Sequence, residues 1–253
     1  MKNIKYRYCL IALASMLIVA CSTKKTYKIS SPGKNTELVF ELTPSGQPQY
    51  SLTSNGKSVI EPSLLGFEFK GIQKMTDGFE VVATEEKSAD ETWEQPWGEF
   101  KKVRDHHTEL IVHLKESKGQ ERLVDIIFRV FDDGVGFRYE FPKQPNLGKV
   151  EISNEITQFT FKSDNDVWWI PVHRENSYYE STYRKTPVSK TDTINTPATL
   201  ETKEKLFVAI HEANLTDFAS MTLLKTNDKQ YKSELVPWAD GVKVYAETPF
   251  KTP

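Results

Sequence analysis

Residues 123–131 (LVDIIFRVF) and 135–141 (VGFRYEF) flank the triplet Asp132-Asp133-Gly134. Both segments are dense in β-branched and aromatic side chains, which suit a pleated backbone, and Asp-Gly suits a tight hairpin turn. They predict a pair of antiparallel strands near the centre of a sheet. Period-two alternation continues on the N-terminal side, in Leu38, Phe40 and Leu42 and again in Leu65, Phe67 and Phe69, as in strands that bury one face. Asn55-Gly56, between residues 50–53 and 58–60, predicts a second hairpin, and Lys118-Gly119 a third.

Further strands are predicted at residues 109–114, 150–152, 157–161, 167–170, 206–211, 232–236 and 243–247. No window longer than about a dozen residues has helical periodicity, although residues 215–224 could hold a turn or two. Residues 187–205 are polar and Thr-rich and read as a long loop across the sandwich. Many short strands between turn signals predict an all-β fold, a large antiparallel β-sandwich, and exclude a parallel βαβ barrel within this chain.

The N-terminus reads as a targeting segment. Lys2, Lys5 and Arg7 precede an apolar run, residues 10–20, that is shorter than the roughly 20 residues a bilayer span needs and has the length of a signal-peptide core. Cys21 follows Ala20, and the tetrad IVAC resembles a bacterial lipobox, so residues 1–20 are expected to be removed and Cys21 lipidated. Residues 21–25 would be a tether and 26–253 the folded part. Removal of residues 1–20 takes away three basic and no acidic side chains, leaving 30 Lys and Arg against 35 Asp and Glu. No nucleic-acid partner is expected of such a chain. Cys9 leaves with the leader, so no disulfide or thiolate metal site remains and stability must come from core burial.

Chemistry is sparse. There is no phosphate-binding glycine loop, no GxSxG, no HExxH and no CxxC. Residues 90–110 (DETWEQPWGEFKKVRDHHTEL) carry too many charges for a buried strand and two indoles too many for a linker, and read as an edge facing a ligand or a partner. Asp132-Asp133-Gly134 lacks EF-hand spacing and reads as a turn rather than a metal loop. His211 and Glu212, as strand neighbours, should point to opposite faces. Arg138, between Phe137 and Tyr139, is expected in a buried ion pair.

Taken in order, SPGKNTELVFEL, DETWEQPWGEFKKVRDHHTEL, FRVFDDGVGFRYEFP, DVWWIP with SYYESTYRKT, and LFVAIHEANLTDFASM resemble the N-terminal domain of glycoside hydrolase family 97. That family comprises bacterial α-glucosidases and α-galactosidases, and the similarity runs from about Ser31 to the end of the chain. The resemblance implies a super-β-sandwich, galactose mutarotase-like, that in family members precedes a catalytic (β/α)8 barrel and a small C-terminal β domain. The catalytic carboxylates of the family belong to the barrel, so no catalytic residue is carried to this chain, and alone it should be inactive. One sandwich glutamate of the family, in a segment Y-E-x-x-Y-R, binds an active-site calcium. Here Tyr179-Glu180-Ser181-Thr182-Tyr183-Arg184 matches, which implies Glu180 as the ligand, with Glu175 the neighbouring alternative. By the same resemblance Trp93, Trp97, Arg104, Asp105 and His106 face the barrel, as domain interface or as the rim of a pocket for an α-linked oligosaccharide.

Two other functions are compatible with these residues. One is a stand-alone, lipid-anchored carbohydrate-binding protein of the bacterial envelope, held on the outer membrane and facing the periplasm. The other is a small enzyme of the mutarotase kind, using a carboxylate with a histidine drawn from His106, His107, His173 and His211.

Overall fold

A computed structural model describes residues 25–172 and 179–253. Its strands are β1 (Thr26–Ser30), β2 (Thr36–Leu42), β3 (Pro48–Ser54), β4 (Lys57–Leu64), β5 (Phe67–Phe69), β6 (Phe79–Glu94) and β7 (Lys102–Glu116). There follow β8 (Leu123–Val130), β9 (Val135–Phe141), β10 (Lys149–Glu155), β11 (Gln158–Thr160), β12 (Asp166–Trp169) and β13 (Arg184–Pro187). A short 3-10 turn (Val188–Lys190) leads to β14 (Thr193–Asn195), β15 (Ala198–Glu201), β16 (Phe207–Ile210), β17 (Met221–Asn227), β18 (Gln230–Leu235), β19 (Val244–Glu247) and β20 (Phe250–Lys251).

The strands form an eight-stranded sheet, β1-β2-β3-β4-β11-β18-β17-β14, and a five-stranded sheet, β20-β9-β8-β7-β6, with smaller sheets β13-β12-β15-β16 and β19-β10-β5. The paired strands of all four sheets run antiparallel. The sequence pattern explains the layering. Leu38 and Phe40 alternate inward along β2, and Leu110, Val112 and Leu114 do so along β7. Between them lies an aromatic seam: Phe128 meets Phe40 at 6.0 Å and Tyr50 at 6.3 Å, and Phe67 meets Tyr139 and Phe141 edge-on at 4.7 and 5.3 Å. The central strands are β8 and β9, as residues 123–141 predict. Asn55 (φ 49°) and Gly56 (φ 72°) make the β3–β4 turn with the positive φ pair of a type I′ hairpin.

Three expectations are corrected. Residues 215–224 hold no helix: bends lead directly into β17, where Met221, Thr222 and Leu223 are all buried between β14 and β18. Residues 187–205 are not a long loop but hold a 3-10 turn and strands β14 and β15. Threonine is β-branched as well as polar, and the buried Thr191 hydroxyl is satisfied by Val188 O and the Tyr231 hydroxyl, both at 2.8 Å. Arg138 points out of the sheet and pairs, partly exposed, with Glu140 two residues along the same strand (2.8 Å), because strand neighbours of inward-facing residues face outward.

The buried ion pair is elsewhere. Arg122 is fully buried at the foot of the β7–β8 hairpin, where Nε and Nη2 donate to the Glu116 carboxylate at 2.8 and 2.6 Å. Nη1 and Nη2 also donate to the carbonyls of Gln73 and Lys74, at 2.7 and 3.1 Å. This ties the segment between β5 and β6 to the hairpin. Arg122→Met would leave the Glu116 carboxylate buried and unpaired, and should cost about 3–5 kcal/mol in urea unfolding. The double variant Arg122→Met/Glu116→Leu should recover a large part of that loss.

Candidate carbohydrate and docking site

β7 pairs with β8 only from Thr108 to Lys115, whereas its pairing with β6 continues to Glu94↔Lys102. Residues 89–94 and 102–107 therefore leave the five-stranded sheet as a two-stranded arm of about 20 Å, at roughly 3.3 Å per residue. This explains the charge density of residues 90–106, since a ribbon outside the sandwich has no core-facing side. At its tip Gln95 N donates to Lys101 O (3.0 Å) and Gln95 Nε2 to Phe100 O (2.7 Å), closing the turn. Gly98 has φ 120°, and a Cβ there would stand 2.7 Å from Gln95 Nε2, so the tip requires glycine. Trp97 is 84% exposed, Phe100 65% and Trp93 48%.

The other residues expected here are divided by strand geometry. Directly opposed residues of antiparallel strands share a face, and alternate residues change face. Arg104 and His106 lie on one face with Asp90, while Trp93 and Asp105 lie on the other with His107. Arg104 binds the Asp90 carboxylate with two hydrogen bonds of 2.7 Å, which holds that carboxyl below its ordinary range. His106 Nε2 lies 4.0 Å from the same carboxylate. Asp105 makes a close contact with Nδ1 of the buried His107, whose ring meets Phe131 at 5.1 Å.

The base of the arm is buttressed by the Asp132 turn. The Asp132 carboxylate accepts from Ser31 and from Gly33 N (2.7 Å), bonds that lower its pKa, and its carbonyl accepts from the Thr36 hydroxyl (3.1 Å). Thr108 Oγ1 donates to Ser30 O at 2.6 Å. The Asp-Asp-Gly triplet is thus a turn with a bracing role.

Glu180 is exposed, in the segment between β12 and β13. The hairpin that carries it is fixed by the pairing Trp169↔Arg184, with the guanidinium 5.2 Å from the Trp169 ring centroid and Trp169 Nε1 donating to Thr186 at 3.0 Å. Tyr179 donates its hydroxyl proton to Thr196 O at 3.1 Å, and Tyr183 is exposed. Glu175, His173 and Cys21 lie outside the described residues. His211 is exposed and bonds through Nδ1 to the carbonyl of Glu212 (3.0 Å), whose own side chain is half-buried.

Calcium takes six to eight oxygen ligands, and among the described residues no three His, Cys, Asp or Glu side chains are grouped to hold a metal. Glu180 is one donor and does not make a site by itself. An internal void lined by Pro48, Phe67, Met75, Leu114, Ile126 and Tyr139 has apolar walls and belongs to the core. Phe100, Gln95 and Asp90 were not singled out by sequence reasoning. The signal was Pro96-Trp97-Gly98, a turn between two charged runs, which would have paired Asp90 with the residues near Arg104.

By architecture the chain is an antiparallel super-β-sandwich domain with one projecting arm. The family model described as Glycosyl-hydrolase 97 N-terminal matches residues 29–253, and the chain belongs to that family as its N-terminal domain. A glycoside hydrolase family 97 enzyme from Pseudoalteromonas sp. strain K8, solved in complex with panose and also with acarbose, is 35% identical with a TM-score of 0.86, over 90% of this chain and 34% of that one. A β-arabinopyranosidase structure at 23% identity and TM-score 0.81 shares the fold. The probable retaining alpha-galactosidase of Streptomyces bingchenggensis (strain BCW-1) is 26% identical over 155 residues, 60% of this chain and 23% of that protein. The chain thus spans 34–39% of these solved relatives' length and 23% of the α-galactosidase's.

The arm tip is built without core contacts. Trp97→Ala should change stability by no more than about 0.5 kcal/mol, whereas Leu110→Ala, in the buried part of β7, should cost about 2–5 kcal/mol. Urea unfolding of the two variants checks this.

Proposed function

We propose that the chain is the sandwich domain of a calcium-dependent bacterial α-glycosidase, acting on α-glucosides or α-galactosides, and that it is inactive alone. The observation that carries this reading is an exposed carboxylate, Glu180, on a braced hairpin of a domain that spans only about a third of its sugar-bound relatives. In this reading Glu180 supplies one ligand to a calcium whose other ligands come from a (β/α)8 barrel in the same polypeptide. Bound there, the ion would position the sugar and stabilise negative charge. The arm docks on the barrel: Trp93, Trp97 and Phe100 bury their exposed rings, and Arg104, Asp105 and His106 border the interface or the pocket rim. Aromatic rings suit the apolar faces of sugars as well as protein contact. Cys21 carries the lipid that holds the enzyme at the outer membrane, facing the periplasm.

The exposure of Trp97 also supports a second reading, a lipid-anchored carbohydrate-binding protein without chemistry of its own. The two separate in one experiment, on the polypeptide that joins this domain to a family barrel. The first reading expects hydrolysis of aryl α-glycosides that EDTA abolishes and calcium restores. Glu180→Gln should then lower calcium affinity at least about tenfold, one lost charged ligand costing roughly 1.4 kcal/mol or more, with an unchanged circular dichroism spectrum. Equal calcium affinity in the wild type and the variant would reject the metal role of Glu180. Oligosaccharide binding by the 253-residue chain, lost in Trp97→Ala, would favour the second reading.

A further inference from the structure

Glu155 ends β10 and is 8% exposed, and the chain then turns through Ile156 and Thr157 into β11 of another sheet. Among the described residues one hydrogen bond reaches its carboxyl group: Thr157 Oγ1 donates to Oε1 at 2.5 Å. The Thr157 oxygen in turn lies 2.8 Å from the buried Tyr139 hydroxyl on β9. The Tyr139 carbonyl accepts from Thr252 N (3.0 Å), next to β20, and its backbone N–H donates to Thr252 Oγ1 (3.1 Å). A chain of side chains therefore joins the β10–β11 corner to the five-stranded sheet and its last strand.

An ionised carboxylate has about four acceptor sites, and this environment does not fill them. Ser233, directly across from Thr157 on β18 and donating its N–H to Thr157 O at 2.7 Å, has a buried hydroxyl without a hydrogen-bond partner. Among the described residues Glu155 forms no salt bridge. The cation nearest in effect, Lys232 of β18, is bonded to Asn154 Oδ1 (2.8 Å) and lies 3.4 Å from Glu234. The other charged neighbour, Glu212 beyond β16, is itself a carboxyl, and Tyr139 of β9 and Phe67 of β5, which pairs with Glu155, bring no positive charge.

We propose that Glu155 is a proton-operated latch: buried with a single hydroxyl donor and no paired cation, it fits the joint between β10 and β9 as a neutral acid, and the cost of keeping an ionised carboxylate there without water weakens the joint. Burial is the main force on the group and Glu212 adds to it, against the Thr157 hydrogen bond and Lys232, so the carboxyl is pushed up to about 7. The sign follows from linkage. The folded state keeps a proton that the unfolded chain gives up near 4.5, so the stabilisation is complete below that pH and is lost as pH rises through 7.

Two measurements on the 253-residue protein test the latch. Infrared spectra should show a protonated carboxyl band that vanishes as pH passes 7 and is absent from Glu155→Gln. Between pH 5 and 8 the unfolding equilibrium constant of the wild type should rise about 10²-fold relative to that of Glu155→Gln, as a shift of this size requires. Thr157→Val, which removes the one bond favouring ionisation, should move the infrared midpoint upward and serves if Glu155→Gln fails to fold. A wild type without a titrating buried carboxyl band, or a stability difference from Glu155→Gln that is constant with pH, would overturn the proposal.

Discussion

The sandwich closes on the contact between Phe128 of β8 and the rings of Phe40 and Tyr50 from the opposite sheet. Neither sheet can be stable alone, because each has one face of large apolar side chains that water disfavours by about 25 cal/mol per Å². No described element supplies a helix to cover them, so the two faces must cover each other. That requirement sets the register of β2, β7 and β8, since a slip of one residue would turn Leu38, Phe40, Leu110 and Val112 outward. The position of every surface feature is inherited from that register: which of Arg104 and Asp105 faces which way on the arm, and the placing of Trp168 outside and Trp169 inside on β12.

The same constraint explains which parts of the fold could be read beforehand. Residues 123–141 combine strand propensity, alternation and a turn, and all three agree because that hairpin is buried on the sandwich face. β14 and β15 escaped notice because their buried positions include Thr193 beside Ile194 and Ala198. A buried threonine needs a hydroxyl partner from another strand, as Thr191 finds in Tyr231, and such a partner has no trace in local sequence. Arg122 and Arg138 make the converse point. Each lies near aromatic and aliphatic residues, yet only the one whose side chain points inward is buried, and direction followed from a hairpin boundary not fixed by pattern.

The candidate site was legible in a different manner. Charge and tryptophan density marked residues 90–110 as an edge facing a ligand or partner; Trp93 and Trp97 are exposed on the arm, whereas His107 and Leu110 at its base are buried. Mutual arrangement was not legible, because Arg104, Asp105 and His106 are consecutive in sequence and alternate in space. The Y-E-x-x-Y-R match singled out Glu180, and the fold leaves it exposed in the segment between β12 and β13. The two features depend on opposite physics. The arm exposes three large rings, which favour association, whereas Glu180 is a hydrated carboxylate.

Buried polar groups show how this domain tolerates charge in its core. Glu116 is surrounded by the guanidinium and backbone of Arg122, so its negative charge is matched by donors in fixed directions. Glu155 has a comparable degree of burial and only one hydroxyl. Two carboxyl groups of the same chemistry thus meet opposite surroundings, one paired within a rigid knot of donors and the other reached by a single hydroxyl, where burial pushes it up to about 7. The first holds the turn between β7 and β8, at the end of β7 opposite the arm. The second lies where the eight-stranded sheet, β10 and β9 meet, so the acid with fewer donors stands at the joint between sheets.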